Sequence, residues 1–197
     1  MNWLRGAIRN SNSQPMAVVE RHTTLADPYV IVSPKLGILN LLGKPGESLV
    51  NEDKLGLSTI FASSAEATGS PPICDVLFLY CHIDKSGSLI GSKDTLRQIM
   101  FASRAPIVVV ASSNPPDAYI AASKRPGHGH ANLVMVLDRE GTNFVVFFQR
   151  PFNLMKQGKT MPVAWVELAP QLLPGGMSHP DAPESIFACE SGHILFR

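Results

Sequence analysis

CDVLFLYCH, residues 74–82, is the stretch whose reading decides the fold. Residues 76–81 are apolar without interruption. A strand with water on one face would alternate, so this one must be covered on both faces. Two further runs have the same character, IVVVA at 107–111 and LVMVL at 133–137. Between them lie segments with helical signals. Ser92 reads as a cap with Asp94 in the first turn, followed by Leu96, Ile99 and Met100 on one face and a stop at Ala105-Pro106. Pro115 and Pro116 suit the first turn of a helix over 115–124. Phe144, Phe147, Phe148, Phe152 and Met155 recur at helical spacing in a long segment running from about Thr142 to Gly158. Pro151 falls inside it, where proline removes a hydrogen bond, so the helix kinks there or two helices meet. Residues 162–172 read as another helix.

Strands alternating with helices imply crossover units, hence an α/β fold with a mostly parallel sheet and helices on both faces, a three-layer sandwich. Residues 1–27 are polar and read as an N-terminal arm, and 28–197 as a single domain. Tyr29-Val30-Ile31-Val32 reads as a first strand. Residues 34–72, punctuated by Gly37, Gly43, Pro45, Gly46 and Gly56, read as loops with one or two short helices. Short strands near 185–188 and 193–196 close the chain.

With 197 residues and 45% hydrophobic content, the chain is long enough for one buried core. Seventeen basic against sixteen acidic residues leave a net charge of +1, which offers no charged face for nucleic acid. Cys74, Cys81 and Cys189 are odd in number and form no CxxC pair, which argues against a disulfide framework or a structural zinc site and for reduced thiols in a cytoplasm. No signal peptide and no membrane-length apolar run is legible. Gly127-His128-Gly129-His130 lacks a third metal ligand nearby, and Gly158-Lys159-Thr160 follows a helix where a phosphate loop follows a strand. Neither a metal nor a cofactor is expected.

In parallel sheets the chemistry sits beyond the carboxyl ends of the strands. That directs attention to Cys81-His82-Ile83-Asp84, Ala111-Ser112-Ser113-Asn114 and Asp138-Arg139-Glu140. His82, directly after a buried strand, is placed to act as a base near neutral pH, and a strand-end histidine bonded to a backbone carbonyl has the same position. Ser113 ends the next strand and stands beside His82 across a switch of strand order. It reads as a nucleophile near a base, while Ser112, Ser113 and Asn114 before two prolines also make good turn residues.

Taken together, CDVLFLYCH and PIVVVASSN resemble the paired segments of the caspase-like (CHAT) cysteine peptidases. In that family one apolar strand ends in histidine and the next in a short stretch holding the nucleophilic cysteine. LVMVLDREGTNFVVFFQRPFNLMKQGK, MPVAWVELAPQ and SIFACESGHILF resemble the strand, helices and closing strand pair that follow, so the likeness covers roughly 73–197. The resemblance implies a caspase-like fold and hydrolysis of a peptide bond. His82 would be the base, position 113 the nucleophile, and the backbone N–H groups of Ile83 and Ser113 would bind the oxyanion. It also implies Asp138 or Glu140 meeting a basic substrate side chain, and activation by a partner protein or by homodimerisation.

Two departures stand out. The family's glycine after histidine is Ile83 here, and its cysteine is Ser113, whose hydroxyl needs a well-placed base where a thiol does not. A natural inactive member, a Cys-to-Ser form, or Cys81 or Cys189 as the working thiol all fit. A chemically dead interaction module of the same fold, and a flavodoxin-like or TIR-like nucleotide-binding domain, stay open as alternatives.

Overall fold

The three apolar runs become the interior of a six-stranded sheet in a computed structural model that describes residues 28–125, 127, 129–139, 144–168 and 183–197. A short strand, β1 (Tyr29–Ile31), opens the described chain. The main sheet is built from β2 (Lys35–Asn40), β3 (Ser63–Ala67), β4 (Val76–Tyr80), β5 (Ile107–Val110), β6 (Asn132–Asp138) and β7 (Glu184–Cys189). Their spatial order is β3-β2-β4-β5-β6-β7. All neighbours are parallel except β7, which runs antiparallel to β6 at one edge. The remaining strand, β8 (Ile194–Phe196), does not pair with β7. It runs parallel to β1 in a separate two-stranded sheet, so the reading of the closing strands as a pair is corrected.

Helices cover both faces, as the uninterrupted strands require. The side chains of β4 alternate between two cores. Val76, Phe78 and Tyr80 join one, and Leu77 and Leu79 the other, joined by Cys81 just past the strand. The first core takes its helical residues from α1 (Glu47–Leu57), α4 (Phe144–Lys156) and α5 (Met161–Leu168), together with residues of β1 and β8. The second takes them from α2 (Leu96–Ser103) and α3 (Pro116–Ser123). Along α4 the phenylalanine stripe packs edge-on against Phe78, with ring centroids 5.3 Å apart for Phe148 and 6.3 Å for Phe152. Phe152 in turn stacks on Phe196, which holds β8 against the helix layer. Pro151 divides nothing: it lies buried within one continuous α4.

The reading of 34–72 as loops with one or two short helices anticipated α1 and missed β2, an interior strand, and its edge neighbour β3. Gly37 made KLGILN look like a turn, and its actual role is clearance. Residues 68–75 return from the end of β3 to the start of β4 without a helix and cross the face of β2 at Gly37. A Cβ there would lie 2.3 Å from Cys74 Sγ and 3.1 Å from Pro72 Cγ.

The α2 cap is also one turn later than Ser92. Thr95 Oγ1 accepts from the Gln98 N–H at 3.2 Å while Gln98 Oε1 accepts from the Thr95 N–H at 2.7 Å, a reciprocal capping box. Ser92 serves the preceding turn, accepting from the Asp94 N–H. Arg104, in the left-handed region at φ 55°, ends the helix.

This order places the switch point between β2 and β4: β2 connects outward to β3 on one side, β4 to β5 on the other. The crevice expected in such sheets opens at those carboxyl ends. β4 and β5 are direct neighbours on one side of the switch, so His82 and Ser113 do not face each other across it.

Candidate functional site

A cleft of about 440 Å³ lies where the crevice is expected. Leu42, Pro45 and Leu49, from the loop after β2 and the start of α1, line it together with His82, Ser113 and Arg139 from the ends of β4, β5 and β6. The structure therefore brings His82 and Ser113 to one cavity, both exposed.

How these residues come to face the cleft follows from the strand ends. Beyond β5 successive side chains take opposite sides. Ser112 is buried and its Oγ accepts from the Cys81 N–H at 3.0 Å. Ser113 faces the cleft, and its Oγ accepts from the Arg139 N–H at 2.8 Å. Asn114 is buried again and ties the two strand ends together. Its Oδ1 accepts from the Ile83 N–H at 2.7 Å, and its Nδ2 contacts Cys81 O at 3.1 Å and Ser112 O at 3.0 Å. The Tyr119 hydroxyl from α3 closes the network by donating to Val136 O at 2.9 Å. Asn114 thus holds the backbone of β4 and β5 at the point where both deliver a residue to the cleft.

This network bears on the oxyanion expectation. The Ile83 N–H is engaged by Asn114 Oδ1, and the Ile83 side chain is buried in the second core, so neither is presented to a bound carbonyl. The His82 ring forms no hydrogen bond among the described residues, with Ser113 or with any orienting carboxylate. Asp138 is exposed and does not line the cleft, and Glu140 lies outside the described residues, as do the arm 1–27 and His128.

The cysteine alternatives lose their support. Cys81 is fully buried in the second core, and burial pushes its thiol up to about 12, so no thiolate forms there at neutral pH. Cys189 is exposed at the edge of the sheet. It pairs in register with Asn132 at the opposite end of β6 from Arg139, away from the cleft.

What the sequence reading did not assign is the polar node beneath the cleft. Arg139 Nη2 donates to Asp53 Oδ2 at 2.5 Å, and the Tyr80 hydroxyl donates to the same oxygen at 2.7 Å. Both charged side chains are buried, at 7% and 6% exposure. Burial raises the Asp53 carboxyl above its usual range, against the opposing pull of Arg139 and Tyr80. The Arg139 guanidinium lies over the Phe144 ring at 4.2 Å from its centroid. One signal was available for this node. Asp53 falls between Val50 and Leu57 on the buried stripe of α1, and a carboxylate there demands a partner. Which cation answers it could not be read from the sequence.

Comparison of the chain with family models, curated proteins and solved structures finds no match.

Proposed function

We propose that this chain is a caspase-like domain acting on a peptide in the cleft, with His82 at the base position and Ser113 at the nucleophile position. The observation that carries the reading is that an imidazole and a hydroxyl, from the ends of two adjacent parallel strands, line one cavity. The mostly parallel sheet with helices on both faces supports it. In the chemistry proposed, the position-113 heteroatom attacks the peptide carbonyl and gives its proton to His82. His82 returns that proton to the leaving amine, and water then releases the acyl group. A hydroxyl depends on its base far more than a thiol does, so Ser113 makes this a slow catalyst.

The test is Ser113→Cys, incubated with a mixed peptide library and scored for new N-termini by mass spectrometry. Cleavage at least 100-fold above the unsubstituted chain is expected, with loss of that gain in Ser113→Cys/His82→Ala. No cleavage by Ser113→Cys removes the peptidase reading.

A second reading has its own observation. The Ile83 N–H is engaged by Asn114 and no group orients the His82 ring among the described residues, which suits a cleft that binds peptide without cutting it. Under that reading His82→Ala and the unsubstituted chain retain the same peptides on an affinity column.

A further inference from the structure

Arg139 carries more hydrogen-bonding capacity than the fold uses. Its Nη2 answers Asp53, while Nε and Nη1 are buried with no acceptor among the described residues. The guanidinium carbon lies over the Phe144 and Tyr80 rings, 4.2 and 5.9 Å from their centroids. A ring face compensates charge and leaves the in-plane N–H groups unanswered. Leaving buried donors without acceptors is a standing cost to the fold. A role confined to neutralising Asp53 does not explain it, because a lysine would meet that carboxylate without stranding two further nitrogens. The same arginine lines the cleft together with His82, Ser113 and the apolar side chains of Leu42, Pro45 and Leu49.

We infer that Arg139 is an oxyanion-binding residue, whose Nε and Nη1 groups take a carboxylate or phosphate of a ligand seated in the cleft, with Asp53 and Tyr80 as positioning residues behind it. Charge-assisted bonds of this kind are the strongest a guanidinium makes. The apolar side chains then receive the uncharged part of the ligand. The inference requires no bond cleavage, so it stands apart from the peptidase reading.

The test uses the full chain, labelled with ¹⁵N, titrated at constant ionic strength with inorganic phosphate and separately with glutarate, against chloride. The Arg139 Nε–H resonance, assigned by its loss in Arg139→Lys, is followed together with the thermal midpoint. Arg139→Lys keeps a cation for Asp53 and removes the unanswered nitrogens. A saturable shift and a raised midpoint with at least one of the two anions, at least tenfold weaker in the midpoint response of Arg139→Lys, support the site, and the responding anion names its chemistry. No movement of the resonance with either anion, or an undiminished midpoint response in Arg139→Lys, overturns it. Should Arg139→Lys not fold, the resonance of the unsubstituted chain decides alone, assigned by through-bond correlation. The anion titration of the unsubstituted chain and peptide cleavage by Ser113→Cys are read independently, so either reading can fail while the other stands.

Discussion

Ser112, Ser113 and Asn114 are consecutive and polar; Ser112 and Ser113 both border the cleft, yet only Ser113 is exposed. Side-chain alternation sends Ser112 and Asn114 inward, where each takes a backbone N–H from the end of β4. Asn114 is the more exacting of the two, because both ends of its amide are used. Asn114→Ala strands the Ile83 N–H and removes a donor from two buried carbonyls, so a loss of about 3 kcal/mol is expected. Urea unfolding checks it, with a lower midpoint at unchanged slope. An effect below about 0.5 kcal/mol, the level of an ordinary surface change, would show that the amide is not what joins the strand ends. From the sequence, the Ser-Ser-Asn run marks a strand end at the chemical rim of the sheet. The hydrogen bonds of Ser112 and Asn114 to the end of β4 make both structural, and Ser113 is the exposed member of the run.

Among the elements, β2 and α2 show how local signals mislead and inform. The glycine that hid β2 is there because another piece of chain crosses it, so its cause lies far away in sequence. Gly37→Ala should destabilise by about 2 kcal/mol through overpacking against the crossover. Removing the sulfur in Gly37→Ala/Cys74→Ala should recover part of that loss, giving a coupling above about 0.5 kcal/mol in a double-mutant cycle of chemical denaturation. Strict additivity would mean that the two residues do not meet. For α2 the signal was entirely local. Thr95 and Gln98 spell a capping box, whereas Ser92 only resembles a cap. Thr95→Ala is therefore expected to cost about 1 kcal/mol, and Ser92→Ala within about 0.5 kcal/mol. Calorimetric midpoints of the two variants rank them, and the reverse ranking would return the cap to Ser92.

At the scale of the molecule, one node joins three elements distant in sequence: Asp53 of α1, Tyr80 of β4 and Arg139 beyond β6. Burial holds the Asp53 proton in the folded protein at pH values where the unfolded chain has released it. Its contribution to stability is therefore greatest below the ordinary carboxyl range, near 3.8, and is lost as pH rises through the raised folded value. Unfolding free energies of the native chain and Asp53→Asn, compared from pH 3 upward, should shift in favour of the asparagine as pH rises. A flat or opposite difference would show that the burial cost does not dominate at Asp53. That Arg139 and Tyr80 are what answers Asp53 is invisible to any window of sequence. The chain alone determined the layered α/β class, because uninterrupted apolar strands cannot stand in water and phenylalanines at helical spacing must cover them. It also determined that His82 and Ser113 end buried strands. Tertiary structure alone decided the order of the strands, the return of β8 to β1 and the partner of Asp53. Those choices depend on which distant surfaces fit and which buried charges find their counterparts, and a linear chain carries that information only through its folded contacts.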